Sequence, residues 1–196
     1  MTRIACSQAN RGRILEDLLK WTNERYRVRG LAVVHKVPTA FIPIRSSQTD
    51  EHGRRPIVTA KVEERAAVDF IGVAGRYALA FDAKETHEPR WSLARLEEHQ
   101  AAFLADWDAQ GGLAFVLVAF VPQSSTYLVP WQELAAKRAA WKERRGPASI
   151  TEGELRQSRR AIPSARGVPL DYLAEVEWVW PVPPRQTAER GGERLC

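Results

Sequence analysis

Nine consecutive apolar residues, Leu113 to Val121, constrain the fold more than any other segment of the chain. The run is rich in Val and Phe, shows no polar alternation and is half the length needed to cross a membrane. It reads as a central strand covered on both faces. A sheet buried on both sides needs helices on both sides, so the chain is expected to be an α/β protein. Its 196 residues suit one domain, and 44% hydrophobic with 27% charged residues excludes a disordered or fibrous chain.

The flanking patterns fill in this outline. Ile14, Leu15, Leu18, Leu19, Thr22 and Tyr26 have helical spacing, predicting a helix over 12–28 that ends near Gly30. Leu31 to Val37 reads as a strand stopped by Pro38. Val68–Val73 and Tyr77–Lys84 read as a hairpin around Ala74-Gly75. Ser92 is placed to cap a helix carrying Leu93, Leu96, His99, Gln100, Phe103, Leu104 and Trp107, which Gly111-Gly112 ends. Tyr127–Val129 adds an edge strand before a helix from Trp131 to about Arg145. Residues 38–66 carry prolines and mixed charge with no sustained period and are expected to be a long loop. Loops of that length in compact domains are more often functional than structural. The expectation is a single domain over 1–185, with a Pro-, Gly- and Arg-rich tail without structure over 186–196. No internal repeat, Gly-rich phosphate loop or Gly-x-Ser-x-Gly elbow is present.

The net charge is +5 and the pI about 9.5, a balance that favours a polyanionic partner. Its distribution is uneven. Residues 137–166 hold nine basic against three acidic side chains, and the N-terminal Arg3, Arg11 and Arg13 have no acid among them. Both segments are candidates for phosphate contact, the alternative being a solvated basic surface. Cys6 and Cys196 make no disulfide framework and lack metal-ligand spacing, so a reducing, cytoplasmic setting is expected. Neither a membrane span nor an apolar signal core is visible.

The chemistry-bearing residues converge on the predicted hairpin. Strand alternation puts Asp82 and Lys84 on one face of Tyr77–Lys84 and Leu79 and Phe81 on the other. With cross-strand partners summing to about 149, Asp69 lies opposite Ala80 and diagonal to Asp82. A slip of one residue would send Asp69 to the other face. Two neighbouring carboxylates suit a hard divalent cation such as Mg²⁺, and an ammonium beside them can orient an attacking water or stabilise charge on a scissile phosphate. That is phosphodiester hydrolysis; an ordinary ion pair at a strand end is the alternative. Glu16 sits beside the apolar stripe of the first helix, and Gln100 lies within the second long helix. His35, Lys36 and Arg76 are possible phosphate contacts. His52, His87 and His99 have no zinc spacing, and Trp178 and Trp180 read as packing.

Taken in order, these segments form a pattern: Asn10-Arg-Gly12 with Leu15-Glu16, Gly30-x-Ala32, His35-Lys36-x-Pro38-Thr39, Val68-Asp69-Phe70-x-Gly72, Phe81-Asp82-Ala83-Lys84-Glu85-Thr86, His99-Gln100 and Gly111-Gly112-x-Ala114-Phe115. Over residues 10–121 the chain resembles the RecU family of Holliday junction resolvases. The resemblance implies a restriction-endonuclease-like mixed sheet flanked by helices, with a stalk-like insertion at 38–66 between the first two strands. It implies a homodimer that uses Mg²⁺ or Mn²⁺ to make paired nicks in four-way DNA junctions, leaving 5′-phosphate ends. On these positions it makes Asp69 and Asp82 metal ligands and Lys84 the active-site lysine, with Glu16 completing the acidic cluster and Gln100 nearby. The segment Arg3–Arg13 matches an arm that meets DNA, and Arg54 and Arg55 fall on the stalk. The chain departs from the family pattern at Asp82, where Glu is common, and at Val68, where a hydroxyl residue is common.

The expectation is therefore a cytoplasmic, nucleoid-associated (or, if viral, host-cytoplasmic) resolvase without membrane contact, working in recombination and repair or phage DNA processing, open to partnership with recombination or branch-migration proteins. The rival readings are another structure-specific or restriction-type nuclease, and a non-catalytic protein that binds junctions.

Overall fold

The computed structural model describes residues 13–49, 56–64 and 66–181, with side chains over 14–39 and 66–181. Helix α1 (Arg13–Val28) leads into β1 (Val33–Lys36), β2 (Ala40–Thr49), β3 (Pro56–Glu64), β4 (Phe70–Ala74) and β5 (Tyr77–Thr86). Next come β6 (Arg90–Ser92), a 3-10 turn (Leu93–Arg95), α2 (Glu98–Ala109), β7 (Leu113–Phe120) and β8 (Ser125–Pro130). The chain continues with α3 (Trp131–Lys142), β9 (Ser149–Thr151), α4 (Glu152–Ser158) and α5 (Tyr172–Val179). The main sheet has the order β1-β4-β5-β7-β8; β5 and β7 are parallel and every other neighbouring pair is antiparallel. This is the mixed α/β architecture expected.

The apolar run is indeed the strand covered on both faces. Phe115 and Leu117 pack with α1 and α5, while Ala114, Val116, Val118 and Phe120 pack with α2, α3 and α4. Across three strands Phe70, Phe81 and Phe115 stack in one row, centroids 5.0 and 4.8 Å apart and planes within 13°. They are also register partners, Phe70 with Phe81 and Phe81 with Phe115. Cross-strand aromatic pairs of this kind are what hold a register.

Four expectations change. The β4–β5 turn is Gly75-Arg76, with Gly75 at φ 58° in the left-handed region a tight hairpin needs, so partners sum to 151 rather than 149. The slide is two residues, so every face assignment survives. Residues 38–66 are not a structureless loop but contain an antiparallel ribbon, β2 with β3, which pairs with no strand of the main sheet. Register shifts at Ala40/Phe41 and Ile44/Gln48 interrupt its alternation, which hid the strands from a period-two reading. Ser92 ends a strand instead of capping a helix, and α2 starts at Glu98 because Leu93 and Leu96 are spent on the core in the preceding turn. The buried stripe of α1 is Leu15, Leu19, Thr22, Asn23 and Tyr26, leaving Ile14 and Leu18 exposed.

Gly72 sits where β1 passes β4 most closely: a Cβ there would fall 2.3 Å from the Val33 carbonyl oxygen and 2.6 Å from Val34 Cα. On the α1 face, Tyr26 donates to Asp171 Oδ1 at 2.6 Å and Arg166 grips both oxygens of Asp171 at 2.6 and 2.7 Å. Tyr172 donates to Asn23 at 2.6 Å, so the C-terminal third is bolted to the first helix. Burial pushes the Asp171 carboxyl up, but the bonds from Arg166 and Tyr26 outweigh it and hold it below its usual value. A depressed carboxyl stabilises the fold above its unfolded pKa and loses that contribution as pH falls. We expect stability to drop below about pH 3.9, and Asp171→Asn to cost about 2–4 kcal/mol at pH 7 while flattening that acid limb, read by urea unfolding at several pH values. An unchanged acid limb in the variant would refute the assignment.

A carboxylate pair, an ammonium and a carboxamide on one sheet face

Asp82 and Lys84 project from β5 toward α2, as the alternation of the strand requires once Phe81 is locked in the opposite layer. Asp69 precedes β4 by one residue, and the observed register aims it across at Asp82. Here the ladder parts: Asp69 Oδ2 accepts the Ala83 amide at 2.9 Å, a side chain taking the place of a backbone partner.

Gln100, in the first turn of α2, ties the group together. Its Oε1 accepts the Glu97 backbone amide at 3.1 Å and Lys84 Nζ at 3.2 Å. With the carbonyl end so occupied, the amide end must donate, and Nε2 meets Asp82 Oδ1 at 2.9 Å. Lys84 Nζ stands 2.6 Å from Asp82 Oδ2 but off the hydrogen-bonding direction, so that oxygen is buried without an aligned donor. Asp82 is wholly inaccessible, and burial pushes its carboxyl well above the usual range. The charge of Asp69 pushes the same way, and the Lys84 ammonium opposes both.

The structure thus brings Asp69, Asp82, Lys84 and Gln100 together. It does not bring Glu16 to them: that carboxylate pairs with Lys36, at the end of β1. Glu16 is nonetheless at the same end of the sheet as Asp69, since the Val37 amide bonds the Asp69 carbonyl at 2.8 Å. His35 and Lys36 line a 190 Å³ hollow beside α1. Arg76 sits at the hairpin turn with its guanidinium over Tyr77, about 20 Å along β5 from Asp82. Arg3, Arg11, Arg54 and Arg55 lie outside the described residues, as do the side chain of Arg13 and the 186–196 tail.

The basic block at 137–166 is spent internally. Lys137 pairs with Glu154, Arg138 and Lys142 with Glu98, Arg145 with Glu143, Arg156 with Glu152, Arg159 with Glu133, Arg160 with Glu175, and Arg166 with Asp171. Among its cations only Arg144 lacks an acidic partner within the described residues. One of these arginines acts on the site from a distance. Arg138, buried in α3, donates to the Leu93 and Leu96 carbonyls at 2.6 and 2.8 Å and to Glu98 at 2.8 Å. That clamps both sides of the residue at which α2, and therefore Gln100, begins. Nothing in the local sequence marks Arg138 for this role.

The donor set suits a small hard cation. Mg²⁺ takes one or two carboxylates with waters completing its shell, and the Asp82 carboxyl, raised by burial and by the charge of Asp69 beside it, is the group such an ion would relieve. Among the described residues no group of three or more His, Cys, Asp or Glu is arranged around one point, so a site built here rests on this pair.

A fully buried carboxyl with a second carboxyl beside it is costly to keep charged, even with Lys84 at hand. Asp82→Asn is expected to raise stability by about 1 kcal/mol in chelator-treated protein, measured by urea unfolding; a loss of stability would show that the carboxylate is a structural member instead.

The profile of the RecU family, described as recombination protein U, matches residues 10–178. A protein of Geobacillus kaustophilus named Holliday junction resolvase RecU is 35% identical over 185 residues, covering 91% of this chain and 88% of that one. Its namesake in Leuconostoc mesenteroides is 34% identical over 171 residues, covering 85% and 80%. Among solved structures, the chain is similar to Hjc, a Holliday junction resolvase of Archaeoglobus fulgidus, at TM-score 0.38 and 15% identity over 60% of this chain and 77% of that one.

Proposed function

The chain belongs to the RecU family, and from that premise we propose that it is a Holliday junction resolvase, a metal-dependent endonuclease that nicks four-way DNA junctions. One observation carries the reading beyond kinship: Asp69, Asp82, Lys84 and Gln100 gather on one sheet face, tied by hydrogen bonds and an ion pair.

Asp69 and Asp82 would hold Mg²⁺ or Mn²⁺. Such a cation supplies positive charge against the scissile phosphate and acidifies a water for attack. Lys84, steered by Gln100 and Asp82, is positioned to donate to a phosphate oxygen as negative charge builds there, and its ammonium needs no rearrangement to do so. Gln100 keeps Asp82 Oδ1 engaged, which leaves Oδ2, beside the Lys84 ammonium, as the oxygen that would meet the ion. In-line attack on phosphorus breaks the bond to the 3′ oxygen and leaves 5′-phosphate and 3′-hydroxyl ends. Glu16 completes the acid set on releasing Lys36.

A four-way junction has two-fold symmetry, and paired nicks need two sites related by it, so the working unit is a homodimer. Unpartnered apolar surface supports this: Ile14, Leu18, Trp21 and Val28 form an exposed stripe on α1, and Val33, Ile71 and Val73 lie bare at the β1–β4 edge. The β2–β3 ribbon, joined to no strand of the main sheet, is the stalk that enters the centre of the junction, with Arg54 and Arg55 between its two strands. Arg3, Arg11 and Arg13 meet the DNA from the N-terminal side, and His35, Lys36 and Arg76 supply further phosphate contacts. No described helix is long and apolar enough to cross a membrane; we place the protein in the cytoplasm with the nucleoid, alongside recombination or branch-migration proteins.

With Mg²⁺, the chain is expected to nick a synthetic four-way junction in preference to linear duplex or flap DNA, with Asp82→Asn and Lys84→Ala each at least 100-fold slower. Junction binding without cleavage under any divalent metal would overturn the reading. In sedimentation the chain should run at twice its 22.1 kDa mass, and a monomer that still makes paired nicks would refute the assembly.

A further inference from the structure

Among the described residues, most cations are neutralised by acids of the chain or lie over its rings, as Arg25 does over Trp21 and Arg76 over Tyr77. Arg90 and Arg95 are different. Both are exposed, neither has an acidic partner among the described residues, and both line one polar cavity of about 340 Å³ with Thr86, His87 and Ser92. The cavity begins at Glu85, the residue after Lys84 on the same strand.

We propose that Arg90 and Arg95 form a backbone-phosphate subsite that grips the DNA strand beside the scissile bond; the inference rests on the resolvase reading above and extends it. The two arginines are presented by rigid elements. Trp91 is fully buried and paired with Ile150, so strand alternation turns Arg90 and Ser92 to the opposite side. Thr86 Oγ1 donates to the Arg90 carbonyl at 3.2 Å and accepts the Glu88 amide at 3.2 Å, closing the turn that delivers Arg90. Arg95 ends the 3-10 turn whose flanking carbonyls, Leu93 and Leu96, are clamped by Arg138. The backbone that carries them is fixed, and the planar guanidinium matches phosphate oxygens two at a time.

The acids on the cavity wall do not cancel the pair. Glu85 is buried, and its oxygens face the Leu15 amide at 3.4 Å and His87 Nε2 at 3.4 Å. Glu88 is left as the exposed acid, with His87 beside it. Distance fits as well: Lys84 to Thr86 is about 7 Å along the strand, on the order of one phosphate-to-phosphate step of a nucleic-acid backbone. A phosphate at Lys84 therefore places its near neighbours at this cavity.

The test is junction binding as a function of salt, without divalent cations so that nothing is cut. Each phosphate contact contributes about 0.9 to the slope of log affinity against log salt. The Arg90→Ala/Arg95→Ala double variant is expected to bind a four-way junction about tenfold more weakly at low salt, with a slope shallower by about 1 to 2. The Arg90→Lys/Arg95→Lys variant should keep the slope. Arg156→Ala, which removes an exposed cation elsewhere, should change nothing. An unaltered slope in the double alanine variant, or an equal fall in Arg156→Ala, would overturn the subsite. Failure of the unmodified chain to bind junctions would overturn the resolvase reading itself, and this site with it.

Discussion

The stacking of Phe70, Phe81 and Phe115 across three strands is the constraint on which the rest depends. These rings bury large apolar areas and tolerate one alignment of β4, β5 and β7. That alignment places Asp69, one residue before Phe70, across from Asp82, one residue after Phe81. A slip by one residue would move Asp82 and Lys84 into the layer of α1 and the rings into the layer of α2, where small residues now pack. A slip by two would keep the faces but part the acids by about 7 Å. The chemistry is thus held in register by side chains that take no part in it.

Charge tells a different story from composition. Residues 137–166 hold nine basic against three acidic side chains, yet among the described residues all but one of those cations face an acid, some within the segment (Glu143, Glu152, Glu154) and others outside it (Glu98, Glu133, Asp171, Glu175). Individual exposed pairs add little stability. Collectively they decide where a polyanion finds no free cation, which shifts its contacts toward the N-terminal half and the rim beyond β5.

Much of the fold was legible because burial writes strong patterns. Leu113–Val121 announced a doubly covered strand, and the alternation of Tyr77–Lys84 put Asp82 and Lys84 together correctly. The meeting of Asp69 with Asp82 was legible only to within two residues, because the turn Gly75-Arg76 and not the strands sets the count. The β2–β3 ribbon escaped because register shifts erase its period, and α2 was started too early because Leu93 and Leu96 mimic a helix while belonging to a turn. Gln100 was visible as a residue in the right helix. Its two-ended grip on Lys84 and Asp82, and the hold of Arg138 on the start of that helix, arise from contacts 16 to 45 residues apart, and no local pattern encodes them. The resemblance to a family over residues 10–121 located the acids; their mutual geometry came from packing.

The missing side chain of Gly72 reaches further than its own position. Backbone meets backbone there, so β1 rides as near to β4 as a hydrogen atom allows. Lys36 and, through it, Glu16 travel with β1, whereas Asp69 travels with β4. The gap between the helix-borne acid and its strand-borne counterpart is consequently gauged by a single methyl group, and alanine in that spot would act as a shim, prising apart two carboxylates it never touches.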